Sequence, residues 1–136
     1  MIGVAANSND SAFSLLEEVE KIQKESETIK SFSIIYVGKL PRELDANSNI
    51  KCTLQIDKDV TVVGARFPHW EYVKKWKDFS NCRMMIIDDG SNMYVHNALL
   101  PLGCLSSTRC KLIVAGDINV SALKPKYILL FHQHAS

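Results

Sequence analysis

A chain of 136 residues that is 46% hydrophobic and 23% charged has room for one core and the balance of an ordinary folded domain, which excludes wholesale disorder and a fibrous repeat. Sixteen Lys and Arg against fifteen Asp and Glu leave a formal charge of +1, so the domain as a whole does not steer phosphate backbones, and any nucleic-acid site must be a local patch. The longest apolar runs, such as Ile34 to Val37 and Tyr127 to Phe131, are far short of the roughly 20 residues that span a bilayer, and no membrane partner is expected.

Residues 1–10 are small, polar and Asn-rich and are read as a flexible lead-in; they lack the basic and apolar regions of a secretory signal. Residues 11–30 form an amphipathic helix on the pattern of Leu15, Val19, Ile22 and Ile29, with Ser14 and Glu17 as a capping box. Glu17, Glu18 and Glu20 precede Lys21, Lys24 and Lys30, the order the helix dipole favours. The same spacing fits a short heptad seam with Ser26 at one core position, so the helix either covers its own sheet or pairs with a second copy in a homodimer.

Residues 31–136 are read as a single α+β domain. Ser31 to Leu40 is a buried strand, and Ile50, Cys52, Leu54 and Ile56 alternate with polar residues as a half-buried antiparallel strand, a hairpin partner of the first. Val60 to Phe67 is β-branched but interrupted by Gly64, and either a third strand or the lead into a helix fits it. Pro68 suits a first helical turn, and His69 to Phe79 is a short helix with Val73, Trp76 and Phe79 inward. Cys82 to Ile87 is a strand closed by Asp88, Asp89 and Gly90; Tyr94 to Leu105, with Pro101 and Gly103, is an irregular crossing segment; Cys110 to Ala115 and Tyr127 to His132 are the last strands.

Strand, strand, short helix, strand, crossing and strand is the order of the ubiquitin-like β-grasp, a small mixed or antiparallel sheet under a crossing helix. Val95 to Leu105, with Asn97, Pro101, Leu102 and Cys104, followed by Lys111 to Val114, resembles the ubiquitin-like repeats that precede the trypsin-like domain of certain vertebrate chromatin-associated serine proteases. Ile34 to Val37 and Ile50 to Ile56 are similar to the first hairpin of those repeats, so the resemblance covers about residues 32–116. Gly103 stands where the family has Ser, and no glycine follows Cys104. The resemblance implies a non-catalytic docking or regulatory module and transfers no active-site residue.

Read for chemistry, the chain contains no Gly-x-Ser-x-Gly turn and no phosphate-loop motif, and no cofactor is expected. Cys104 with His96 could pair a nucleophile and a base, but Cys104 beside Pro101 and Leu105 fits packing better. Cys104, Cys110, His132 and His134 are the ligand types of zinc without its usual close pairs. Asp88 and Asp89, with Asp117, carry oxygen ligands for a hard cation, but two acids before a glycine also make a turn. Cys52, Cys82, Cys104 and Cys110 are read as reduced thiols in a cytoplasmic or nuclear setting.

The most informative cluster is Arg66, Phe67, His69, Trp70, Tyr72, Lys74, Lys75, Trp76 and Lys77. Interleaved cations and rings could neutralise phosphates and stack on bases; the plainer reading has Trp76 and Phe79 in the core and the lysines on a solvated face. Trp70 fits the buried stripe less well and, if exposed, would anchor a partner protein. The expectation is therefore a non-enzymatic protein-interaction domain binding through Trp70, Arg66, Lys74, Lys75 and Lys77. The alternative is a small nucleic-acid-binding protein, viral or accessory, using Arg66 to Lys77.

Overall fold

A computed structural model describes residues 1–29, 31–53, 60–76, 82–90, 93–105 and 110–116. Ile2–Ala6 (β1) is a short run of small and β-branched residues with both faces covered, the signature of a strand inside a parallel sheet. Ser8 caps the helix that follows, Asn9–Glu25 (α1), by accepting a hydrogen bond from the Ser11 amide at 3.0 Å. Ser33–Val37 (β2), Ile50–Cys52 (β3) and Val60–Arg66 (β4) come next. A single 3-10 turn, Phe67–His69, runs into Trp70–Lys74 (α2), followed by Met84–Ile87 (β5), Val95–Leu102 (α3) and Lys111–Val114 (β6).

The six strands form one sheet in the order β3-β2-β4-β1-β5-β6, and every pairing is parallel. This overturns the expected mixed or antiparallel β-grasp sheet. The reason lies in the connections. A parallel neighbour needs a crossover of about a dozen residues, and residues 38–49 between β2 and β3 supply that length, too long for the tight turn of a hairpin. Within β3 only Ile50 is buried, Lys51 and Cys52 both being exposed, so the expected alternation does not hold on this parallel edge strand; Leu54 and Ile56 lie outside the described residues.

Helices cover both faces. On one, Ala12, Phe13 and Leu16 of α1 pack on Val4, Ala6, Ile34, Tyr36, Ile50 and Val62; on the other, Phe67, Trp70 and Val73 pack on Ala5, Ile35, Val63, Ala65, Met85 and Ile87. Gly64 has a definite task here: a Cβ on it would lie 2.6 Å from Leu16, so its bare backbone lets α1 settle onto β4.

Several local expectations change. Residues 2–6, taken as part of the lead-in, are the strand between β4 and β5. α1 begins two residues earlier than expected and is capped by Ser8, while Ser14 bonds Arg42 at 3.0 Å. Its buried face is Ala12, Phe13, Leu16, Glu20 and Gln23, so the expected stripe is rotated outward and Ile22 is 56% exposed. Glu20 is buried because it accepts from the Asn49 amide and from Ser48 Oγ and pairs with Lys24 at 3.1 Å, which ties the approach to β3 onto the helix. Residues 95–102, for which an irregular crossing is expected, are helical despite Pro101, which costs the helix one backbone donor but lies one residue from its end, where the Gly103 amide bonds the Leu99 carbonyl at 2.9 Å and closes it. Tyr127 to His132 lies outside the described residues. Among those described, no helix is long and apolar enough to cross a membrane.

Candidate functional site

In a parallel sheet with helices on both faces, ligands settle beyond the carboxyl ends of the strands, where neighbouring strands send their connections to opposite sides. β1 and β4 are such neighbours, paired from Ile2 with Val62 to Ala6 with Arg66. From β1 the chain turns onto one face as α1, and from β4 it turns onto the other as the 3-10 turn and α2. The residues at that edge are Asn7 to Asp10 after β1, Gly38 after β2, and Arg66 to His69 after β4.

Two arginines stand near this edge and have different surroundings. Arg42 is committed to α1: it pairs with Glu17, reaches Asp10 at 3.5 Å and Ser14 at 3.0 Å, and lies over the Phe13 ring at 5.0 Å. These carboxylates hold its guanidinium further toward the charged form. Arg66 has no carboxylate within ion-pair distance among the described residues, and its Nε donates to His69 Nε2 at 3.2 Å. Because His69 accepts there, its remaining ring proton is on Nδ1, which donates to the Val37 carbonyl at 3.1 Å. Gly38, at φ 147°, makes this possible, since a Cβ there would stand 2.6 Å from His69 Nδ1.

Burial pushes the His69 pKa down, with the Arg66 charge acting in the same direction, against the Val37 hydrogen bond that raises it. The imidazole therefore stays neutral and fixes the guanidinium through one tautomer. A folded-state pKa below the unfolded value makes a contribution to stability that is fully present above the unfolded pKa of about 6.5 and is lost as pH falls through the folded value. The stability of the wild type relative to His69→Gln should accordingly shrink on acidification from pH 7.5 to pH 5, measured by urea unfolding at each pH. Nearby, Tyr36 donates to the Lys39 carbonyl at 3.2 Å, and its pKa is pushed up to about 12, chiefly by burial, so it adds no negative charge at neutral pH.

The residues singled out from sequence are divided by this arrangement. Arg66 is at the edge. Trp70 is fully buried, its Nε1 donating to the Ala65 carbonyl at 3.1 Å, so the condition for its acting as an exposed anchor is not met. Lys74 and Lys75 are exposed on α2 and just after it; Lys75 pairs with Glu71 at 3.3 Å. Lys77 lies outside the described residues. Cys104 is buried with Sγ 3.5 Å from the Leu100 carbonyl, and burial raises its pKa to about 11, the environment of a packed thiol; His96 instead stacks on Tyr94 at 5.6 Å. Asp88 and Asp89 close β5, with the Asp88 amide on the Ala5 carbonyl at 2.9 Å and Asp89 at φ 54°. His132, His134 and Asp117 fall outside the described residues.

Sequence reasoning passed over Asn7 to Asp10 and Gly38. Ser8 followed by Asn9 and Asp10 is a helix-cap signal that the sequence offers, whereas the small residues before it do not announce a strand by themselves. Comparisons of the chain with family models, curated proteins and solved structures give no match, so the site stands on its geometry alone.

Proposed function

We propose that this chain binds a phosphate-bearing small molecule at the C-terminal edge of the sheet between β1 and β4, with Arg66 as its charged anchor. The observation that carries the reading is the position of Arg66: beside the tip of β1, held by a neutral His69, with no carboxylate paired to it among the described residues. The opening turn of α1 adds backbone amides without intrahelical partners and the positive end of a 17-residue helix, both favourable to an anion. Arg42 engages two of the acids of α1, Asp10 in its first turn and Glu17 further along. With Trp70 inside the core, a protein-docking surface has no exposed aromatic anchor at that position.

The test is calorimetric titration with inorganic pyrophosphate. Arg66→Met should weaken binding at least about tenfold, the loss expected when a charge-assisted hydrogen bond is removed, at an unchanged thermal midpoint. Lys74→Met, on the exposed side of α2, should leave affinity within about twofold. Equal binding by the wild type and Arg66→Met would contradict the assignment.

A further inference from the structure

Arg66, His69, Tyr72 and Lys75 recur every three residues and form a continuous column along the 3-10 turn and α2. Arg66 Nε contacts His69 Nε2 at 3.2 Å; the His69 and Tyr72 rings lie 6.2 Å apart at 58°; the Lys75 ammonium stands over the Tyr72 ring, 5.7 Å from its centre, and is tethered to Glu71 at 3.3 Å. The other aromatic of α2 is inside: Trp70 is wholly buried, whereas Tyr72 is 50% exposed. An open ring therefore stands one imidazole away from the guanidinium assigned to phosphate.

We propose that the ligand is a mononucleotide, its phosphate on Arg66 and its base stacked on Tyr72. This rests on the phosphate reading of the edge and adds the identity of the group attached to the phosphate. A ribose separates phosphate from base in a nucleotide, as the His69 ring separates the cation from the aromatic surface here. Stacking on an open aromatic ring is indifferent to which base is offered, because every base has a π face. Tyr72 provides that face with few rotatable bonds to freeze, and the Lys75–Glu71 pair holds its other contact in place. A single nucleotide is favoured over a polynucleotide by the charge balance. The chain carries a formal charge of only +1, Lys75 is already paired, and the column offers one cation and one open ring, the contacts of one nucleotide and not of a strand.

The experiment compares ADP with inorganic pyrophosphate by calorimetry at one pH and ionic strength, in wild type, Tyr72→Ala and Tyr72→Phe. ADP should bind wild type about tenfold or more tighter than pyrophosphate, the range that stacking of one base provides. Tyr72→Ala should abolish that advantage and Tyr72→Phe should keep it, while pyrophosphate affinity stays the same in all three. If pyrophosphate binds through Arg66 but ADP binds no tighter, or if the advantage survives in Tyr72→Ala, the nucleotide assignment is wrong and the phosphate reading stands. If neither ligand binds, both fail. If a ten-nucleotide single strand binds more than tenfold tighter than ADP and weakens steeply with salt, the ligand is a polynucleotide and the mononucleotide assignment is overturned.

Discussion

Trp70→Ala is expected to destabilise the protein by about 3–5 kcal/mol, the usual cost of truncating a large buried aromatic. The indole is the largest of the fully buried side chains and lies in the core beneath α2 with Phe67, Val73, Ala65 and Met85. A Cβ on Gly3 would come within 2.8 Å of its ring, so the space is filled up to the backbone of β1. Truncation also removes the donor to the Ala65 carbonyl. Urea unfolding measures the effect, and Trp70→Phe should lie between wild type and alanine because it restores most of the volume and none of the hydrogen bond. A loss below about 1 kcal/mol would place Trp70 on the surface, contrary to the fold described.

Gly64→Val should cost about 1–3 kcal/mol or more, even though valine is a better strand former than glycine. The favourable propensity is outweighed because the added carbon would meet Leu16 at 2.6–2.9 Å. The decisive measurement is the double mutant. Leu16→Ala alone should cost about 2–5 kcal/mol by leaving a cavity, yet with Gly64→Val it should cost less than the sum, since the valine fills space the leucine has vacated. Additive losses would mean that α1 does not press on β4 at this point.

Several elements were legible because their signals are local. Ile34 to Val37 and Met84 to Ile87 are unbroken β-branched or apolar runs, and Pro68 marks the entry to the turn before α2. β1 was not legible in the same way: Gly3, Ala5 and Ala6 have little strand propensity of their own, and the strand exists because β4 and β5 flank it. Parallel pairing was hidden for a related reason. Apolar and polar residues alternating along Ile50 to Cys52 say nothing about the direction of the neighbouring strand, which depends on where a long loop carries the chain, and at this edge Cys52 is exposed and only Ile50 is buried. The rotated face of α1 follows from Gly64, which accepts Leu16 and so turns Ala12 and Phe13 inward, a contact between distant residues with no periodic signature.

The candidate site was partly visible. The basic and aromatic cluster was recognised as a group, but helical spacing alone did not reveal that Trp70 points into the core while Arg66, His69, Tyr72 and Lys75 share an outer column. Its other half, Asn7 to Asp10, is 56 or more residues away in sequence and meets Arg66 only because β1 and β4 are paired from Ile2–Val62 to Ala6–Arg66.

Amide nuclear magnetic resonance during a pyrophosphate titration shows whether a ligand binds at the edge where β1 and β4 part. Shifts should concentrate at Asn7 to Asp10, Gly38 and Arg66 to His69, and should vanish in Arg66→Met. Shifts confined to the opposite edge, around Met1, Arg83 and Lys111, or unchanged by the loss of Arg66, would rule out binding at this edge through Arg66.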